Sequence, residues 1–217
     1  MSANDTSTPR RTIGRPGPAE DGRLAILEAA GRAFASRGYL ATSIDAIADE
    51  LGATKGRVYH YYRGKAEIFL DVVVSGMIEL IEEIAPLASG SGTPPERMYA
   101  MAHRHAELMM IHHGPQRVSV QAVEMRTVPE IRVHSDLLDE VLELRRRYER
   151  LFVATVEQGI ETGDFDVLDA GLAVKSALGS LNWIPIWYSP DRSETDDVPR
   201  VAAAFATFIV NGLRKRS

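Results

Sequence analysis

The sequence predicts an all-α protein in which a three-helix head at the N-terminus precedes a larger helical body, with about nine helices in all. Two features of the sequence indicate this. Apolar residues recur three and four positions apart through most of the 217 residues, and the alternation typical of a strand is not sustained. Clusters of proline and glycine divide this pattern into segments of helical length.

Residues 42–52 predict the first short helix of a turn motif. Its apolar stripe at i, i+3, i+4 and i+7 comprises Ile44, Ile47, Ala48 and Leu51. A hydroxyl of Thr42 or Ser43 can cap this helix by accepting a hydrogen bond from an unpaired amide of its first turn. Gly52 tolerates the left-handed conformation that ends a helix, so a tight turn is expected there.

A second short helix is predicted over residues 55–62, with Thr54 as its cap. Val58 and one tyrosine are its apolar anchors, so its other side chains must face something besides the core. Two short helices around a tight turn are the layout of a helix-turn-helix DNA reader. Lys55 and Arg57 lie where a recognition helix meets base edges, and arginine can contact guanine O6 and N7 together.

Phosphate contacts are expected from polar side chains around this helix. Donors to phosphate oxygens are offered by Thr54, Tyr59, His60 and Tyr61. Lys65 begins the next helix, where its ammonium and the free amides of the helix N-terminus predict a second phosphate contact. The alternative is that these residues are only the solvated side of a helix pair, since helix-turn-helix look-alikes are common in all-α proteins.

Residues 26–70 combine an alanine-rich first helix, which holds a Phe and ends at a Gly, with the segment TSIDAIADELGATKGRVYHYYRGK. This run resembles the N-terminal domain of the tetracycline-repressor-like (TetR) family of bacterial transcription regulators. The resemblance implies that DNA is bound by Thr42, Ser43, Thr54, Lys55, Gly56, Arg57, Tyr59, His60, Tyr61 and Lys65. It assigns Thr42 and Lys65 to phosphates and residues 55–57 to bases. Tyr62 stands where the family usually has Phe.

The net charge of −5 is unevenly distributed. Residues 1–70 contain ten Lys or Arg and eight Asp or Glu, a net +2, whereas residues 71–217 contain fifteen and twenty-two, a net −7. The acidic body should therefore lie away from DNA. The first 18 residues, which are rich in Ser, Thr, Pro and Gly, carry Arg10, Arg11 and Arg15 and predict a disordered basic arm. Such an arm can enter the minor groove, and the alternative is a solvated tail.

These patterns predict three regions: a basic arm over residues 1–18, a DNA-binding domain over 19–66, and an effector-binding and dimerisation domain over 67–217. The predicted helices of the third region are 65–85, 95–112, 116–126, 129–162, 167–188 and 194–214. Its expected breaks are at Pro86 with residues 89–95, Gly114 with Pro115, Gly163, and Ser189 with Pro190. Pro185 lies inside a helical pattern and should kink its helix near Asn182.

The last two predicted helices contain faces rich in Ala, Gly, Val, Leu and Phe with few charges. This is more apolar surface than one small body readily covers, so we expect a homodimer through these helices. TetR-like proteins use such a two-fold four-helix contact, which implies two heads about one or more DNA turns apart. The alternative is that both helices cap the core of a monomer.

A head that only bound DNA would not need so large a body, so a pocket for a small-molecule effector is expected. The predicted lining is His105, Met109, Gln121, Glu124, Trp183, Trp187 and Tyr188, with neighbouring His, Met and Asn residues. Met and Trp at helical spacing are more often plain core residues, which is the alternative. A metal site at His105, His112 and Glu124 is a further alternative, although no Cys and no His pair at i, i+4 support it.

Two further segments, VEQGIETGDF and NWIPIWYSPD, resemble the C-terminal half of TetR-like regulators of fatty-acid, sterol and aromatic-acid breakdown. Several of those regulators are released from DNA by acyl-CoA thioesters. The resemblance implies an acyl chain in an apolar tunnel and CoA phosphates near Arg126, Arg145 or Arg146. Arginine suits phosphate through its bidentate geometry.

Other classes of protein are less well supported. The chain has no Gly-x-Ser-x-Gly elbow, phosphate loop, dinucleotide-binding glycine pattern or cysteine, so neither an enzyme nor a bound cofactor is expected. The sequence has no signal peptide and no apolar run of membrane-spanning length, which predicts a cytoplasmic protein without a membrane partner. A helical protein-interaction adaptor, or a regulator that senses a drug-like molecule or a metal, remains the alternative.

Overall fold

The computed structural model describes residues 18–111, 118, 128–188 and 198–214. Within these ranges the regular structure is helical, apart from an isolated bridge between Phe165 and Arg214. The helices are α1 Pro18–Ala41, α2 Ile44–Leu51, α3 Lys55–Tyr61, α4 Lys65–Ala88, α5 Pro94–Ile111, α6 Pro129–Arg132, α7 Ser135–Glu161, α8 Ala170–Asn182, α9 Ile184–Trp187 and α10 Val198–Leu213. The predicted all-α class with an N-terminal head and a larger body is confirmed. The predicted arm and nearly all of the predicted helix 116–126 lie outside the described residues.

The head is built from α1, α2 and α3. An aromatic cluster of Phe34, Tyr39 and Phe69 joins α1 to α4, with Phe69 edge-on to both partners at centroid distances of 5.3 and 4.8 Å. Gly38 adopts a φ of 76° inside α1, which turns the last residues of the helix towards α2. Only glycine reaches this conformation without strain, so the chain can reverse direction directly after the cluster.

The predicted turn between α2 and α3 is confirmed in most of its details. The Ser43 hydroxyl accepts a hydrogen bond from the Ala46 amide at 3.1 Å, and Gly52 ends α2 with a φ of 66°. Thr54 precedes α3 as predicted, but its side chain makes no cap hydrogen bond. The backbone performs this task instead, because the Arg57 amide donates to the Thr54 carbonyl at 3.0 Å.

The long helix α4 connects the head to the body, since it packs against α1 at one end and against α5 and α7 along its length. An ion-pair network fixes its first half. Asp71 is 6% exposed and accepts hydrogen bonds from the Arg23 guanidinium, at 2.5 to 2.9 Å, and from the Tyr62 hydroxyl, at 2.5 Å. One carboxylate therefore ties together α1, the end of α3 and α4.

The end of α4 differs from the prediction. Pro86, which was expected to begin a loop, lies inside the helix, and the helix continues to Ala88. Proline removes one backbone donor but leaves the final turn intact here. The Ser89 amide and hydroxyl both donate to the Ala85 carbonyl and close the helix.

The body packs α10 and α4 against α5, and α7 against α4, α5 and α8. Pro185 was predicted to kink a single helix over residues 167–188 near Asn182. The interruption lies there but is a full break, because α8 ends at Asn182 and the short α9 follows. The predicted single helix over residues 129–162 is wrong, since Val133 and His134 separate α6 from α7. The N-cap of α8 is Asp169, whose carboxylate accepts from the Leu172 amide at 2.8 Å.

The turn after α7 explains the spacing of two glycines. Gly163 has a φ of 78°, as a left-handed helix terminus requires. Gly159 lies directly against the Phe165 ring, and a β-carbon at Gly159 would come within 2.1 Å of that ring. The Asp166 amide then donates to the Leu213 carbonyl at 2.9 Å, which ties this turn to the end of α10.

None of the described helices is both long and apolar enough to cross a membrane.

Candidate nucleic-acid interface and buried polar pair

The first turns of α2 and α3 lie side by side on the surface of the head. The Lys55 ammonium forms an ion pair with the Asp45 carboxylate at 2.9 Å and lies 5.9 Å from the centre of the Tyr59 ring. The hydrogen bond that Lys55 donates to the Asp45 carboxylate raises the pKa of Lys55. The predicted DNA-binding residues exposed on this surface are Ser43, Thr54, Lys55, Gly56, Arg57, Tyr59 and His60. The structure thus brings most of the predicted set together.

Arg57 is an available cation on this surface. Its side chain is exposed and forms no ion pair or hydrogen bond with any described residue. Val58, the next residue, is fully buried and fixes the rotation of α3. A buried anchor beside an exposed guanidinium holds the arginine outward at the N-terminal end of the helix, where base edges are read.

Two predicted phosphate contacts are occupied within the protein. Thr42 is 2% exposed, and its hydroxyl donates to the carbonyls of Gly38 at 2.7 Å and Ala33 at 3.2 Å. The Lys65 ammonium donates to the Tyr39 carbonyl at 2.9 Å and lies 4.4 Å from the centre of the Tyr39 ring. Both side chains close the C-terminal end of α1. Thr42 is buried there, whereas the half-buried Lys65 ammonium keeps further donors, and the phosphate contacts of both residues stay predictions.

Tyr61 differs from its neighbours in α3. It is half-buried, and its hydroxyl lies directly over Gly22 of α1, where a β-carbon would meet it at 2.2 Å. His60 stands edge-on to the Tyr61 ring at 5.0 Å and is itself exposed. Tyr61 therefore packs against α1, whereas Tyr59 and His60 face outward.

Arg63 was not predicted and belongs to the same surface. Its side chain is exposed and pairs with no described residue, and its amide donates to the Glu67 carboxylate at 2.7 Å. Glu67 thereby occupies part of the helix end that was expected to bind phosphate. The sequence signal for Arg63 is its position between the recognition helix and Lys65.

The candidate effector residues separate into buried and exposed groups. His105, Met109 and Tyr188 are buried, as a cavity lining requires. Trp183 and Trp187 lie on the surface of the single chain, 61% and 43% exposed, and their contact with an effector stays a prediction. The break at Pro185 turns Ile184 and Pro185 inward and leaves the tryptophans outside. Gln121 and Glu124 lie outside the described residues.

His105 forms a buried pair with Tyr148, a residue that the sequence did not single out. The Tyr148 oxygen lies 2.5 Å from Nδ1 of His105, and both side chains are nearly inaccessible to solvent. Nε2 of His105 is also buried but has no hydrogen-bond partner among the described residues. Burial lowers the pKa of His105 to about 4, with the Asn182 side chain acting in the opposite direction. The imidazole is therefore neutral at pH 7.

The contacts of Arg126, Arg145 and Arg146 with CoA phosphates stay predictions. Arg146 pairs with Glu143 at 3.1 Å, and Arg126 lies outside the described residues. A groove of about 330 Å³ beside α7 instead has Arg97, Arg147 and Arg150 in its lining. In the described part of the chain, no three metal-ligating side chains come together, and two of the residues of the metal alternative, His112 and Glu124, lie outside it.

Acidification is expected to destabilise the protein through His105. The unfolded chain takes up a proton near pH 6.5, whereas the folded His105 does so only near pH 4, so stability is lost as pH falls between these values. The slope should approach about 1 kcal/mol per pH unit. Denaturation of the wild type and of H105L/Y148F measured from pH 7 to pH 4 should show the slope reduced in the variant, and parallel curves would contradict the buried neutral histidine.

Two protein-family models match the chain. Residues 26–72 match the one described as "Bacterial regulatory proteins, tetR family", and residues 91–213 match the one described as "Tetracyclin repressor-like, C-terminal domain". The two matches cover most of the head and most of the body, with residues 73–90 between them.

Similar proteins agree with these matches. The transcriptional repressor KstR2 of Mycobacterium tuberculosis is 25% identical to this chain over 201 residues, which cover 88% of this chain and 92% of KstR2. The solved structure of KstR2 superposes on this chain with a TM-score of 0.75, covering 95% of this chain and all of KstR2. The fatty acid metabolism regulator protein of Bacillus subtilis is 21% identical, covering 89% of this chain and 96% of the relative. AibR, solved with isovaleryl coenzyme A and operator DNA, is 22% identical with a TM-score of 0.71, covering 89% and 98%.

Proposed function

The chain belongs to the TetR family of bacterial transcriptional regulators, and from this premise we propose that it is a homodimeric repressor that binds a palindromic operator and is released by a small hydrophobic effector. The DNA-binding half rests on one observation above all. In a TetR head, the start of α3 presents an exposed arginine, Arg57, that pairs with no described residue. Members of this family are transcription regulators and not enzymes.

The exposed residues of the head divide between two tasks. Lys55 and Arg57, with Gly56 allowing close approach, lie at the base-reading end of α3. Phosphate contacts fall to the exposed polar side chains Ser43, Thr54, Tyr59, His60 and Arg63. We assign residues 19–66 to DNA binding and 67–217 to effector binding and dimerisation, with α4 joining the two.

The dimer half of the proposal rests on apolar surface at α8 and α10. Leu172 of α8 and Phe208 of α10 are 64% and 73% exposed, an unfavourable state for such large side chains. A cavity of about 280 Å³ lies between the two helices and includes Ala173, Ser180 and Phe208 in its lining. A second copy seated here by two-fold symmetry would cover both side chains and hold two heads ~34 to 36 Å apart or a multiple of this spacing.

Replacing Phe208 by glutamate is expected to convert the dimer to a monomer at micromolar concentration, because the charge would be buried without a partner in the contact. Sedimentation measures the change. Val133→Glu is the matched control, since Val133 is also a largely exposed apolar residue but lies between α6 and α7. A wild-type protein that sediments as a monomer, or a dimer unaffected by Phe208→Glu, would rule out this contact.

For the effector we propose an acyl-CoA thioester. AibR has the same fold and was solved with isovaleryl coenzyme A, and the B. subtilis relative is named for fatty acid metabolism. In this chain the apolar, methionine-rich packing around Met101 and Met109 suits an acyl chain, and the groove with Arg97, Arg147 and Arg150 suits the CoA phosphates. Arg150 pairs with Glu143 at 2.9 Å in the effector-free chain and would exchange this partner for a phosphate.

Release from DNA follows if the effector prefers one spacing of the two heads. A ligand shifts a two-state equilibrium only through its differential affinity for the states, and a few kcal/mol are sufficient. The helix α4 is suited to transmit the change, because Lys65 at its start holds the end of α1 and its later turns pack in the body.

The test is selection of bound duplexes from a random pool, followed by titration of the selected duplex with a mixture of acyl-CoA thioesters. Enrichment of a palindrome that acyl-CoA releases is the expected result. If a palindrome is enriched but acyl-CoA does not release it, the repressor proposal stands and the proposed effector is wrong. Without any enriched sequence, the protein-interaction adaptor would be favoured.

A further inference from the structure

We propose that Nε2 of His105 is the hydrogen-bond donor that recognises an uncharged oxygen of the effector, which in an acyl-CoA is the thioester carbonyl. This inference rests on the proposed function, because it names the side chain that binds the polar end of the effector. It assigns His105 a role in distinguishing esters and thioesters from free acids of the same chain length.

The first argument is the unmatched nitrogen itself. His105 is 1% exposed, and Nε2 has no hydrogen-bond partner among the described residues. A buried polar atom left unpaired costs about 1–3 kcal/mol, and nearly all such atoms in folded proteins are paired. The Asn182 side chain, at the end of α8, interacts with the imidazole and acts to raise its pKa, but it makes no hydrogen bond of normal length and angle to Nε2. A ligand oxygen would remove this cost.

The second argument fixes which way the hydrogen bond runs. The Tyr148 phenol is more acidic than a neutral imidazole N–H, so at 2.5 Å the phenol donates to Nδ1. The remaining proton of the neutral ring then lies on Nε2. This nitrogen is therefore a donor, and it requires an acceptor such as a carbonyl oxygen.

The third argument concerns charge. Phe152 packs edge-on to the imidazole at 6.4 Å, and Met101 and Met109 lie fully buried one turn away on either side along α5. The nearest cation along α5, Arg104, pairs with Glu83 and Glu107. A carboxylate bound beside His105 would thus be buried without a countercharge, which is costly, whereas a thioester carbonyl carries no charge.

The experiment compares two probes that differ at one group: palmitoyl-CoA and its thioether analogue S-hexadecyl-CoA, which lacks the carbonyl oxygen. Binding to the full-length protein is measured by calorimetry. The wild type should bind the thioester about tenfold more tightly than the thioether, as expected for one hydrogen bond to a buried donor. H105L/Y148F, which replaces both members of the pair by apolar side chains, should bind the two probes equally.

His103→Leu is the matched control, because it removes a half-buried histidine from the same helix and should preserve the tenfold preference. If the wild type binds both probes with equal affinity, the role of His105 is overturned but the acyl-CoA effector stands. This measurement needs no variant. Binding of neither probe by the wild type would overturn the acyl-CoA effector and the inference together. A preference that survives in a folded H105L/Y148F would place the donor elsewhere.

Discussion

Replacing Lys55 and Arg57 together by alanine is expected to reduce affinity for the selected operator by about thirtyfold or more. A well-placed basic side chain on a base edge is worth about 1–3 kcal/mol, and both residues lie at the base-reading end of α3. Arg57 should contribute more, because Lys55 must leave its 2.9 Å ion pair with Asp45 before it can reach DNA. Titration of labelled operator by fluorescence anisotropy, at several salt concentrations, measures the effect.

The control must remove the same charge elsewhere. Arg146 and Arg147 are exposed on α7 of the body, and their double alanine variant lowers the net charge equally. It should leave operator affinity nearly unchanged in the absence of effector. If both double variants weakened binding alike, the effect would be one of overall charge, and α3 would not be the reading helix.

The Asp71→Ala substitution is expected to lower the free energy of unfolding by about 3 kcal/mol. Removing one member of a buried ion pair leaves its partners unsatisfied, at a usual cost of about 3–5 kcal/mol. The lower end applies here because the Arg23 side chain is 45% exposed, so water can solvate its guanidinium after the substitution. Urea denaturation at fixed protein concentration measures the change, since dimerisation contributes to stability.

Two comparisons separate this network from simple packing. Tyr62→Phe removes one hydroxyl that donates to Asp71 and should cost about 1 kcal/mol. Asp71→Leu combined with Arg23→Leu removes both charges and should be less damaging than Asp71→Ala alone. Equal losses in the single and double variants would show that Asp71 contributes little beyond its volume.

The network also changes how Tyr62 is understood. In the comparison with the TetR pattern, Tyr62 replaces the phenylalanine that usually anchors the core at this position, which is a small difference. In the structure, its hydroxyl donates to a carboxylate that is also bound by α1. The end of the recognition helix is thus attached to both α1 and α4, which suits a head that must move with the body.

The sequence by itself determined the elements whose causes are local. The α2 stripe, the Ser43 cap, the left-handed Gly52 and the break near Pro185 each depend on residues within a few positions of one another. Such short-range effects can be read from spacing and residue type. The exposed start of α3 was predictable for the same reason, because a helix with one strong anchor must present its other side chains outward.

Only the tertiary structure decided which polar groups are free and which are already paired. Thr42 and Lys65 donate hydrogen bonds to carbonyls of α1, and the Lys65 partner lies 26 positions earlier in the chain. His105 contacts Tyr148, which lies 43 positions later. Trp183 and Trp187 lie outside because the chain turns at a proline and α9 buries its other side. Residue type sets what a side chain can bind, but the partner it finds depends on how separate helices pack, and spacing along the sequence does not encode that packing.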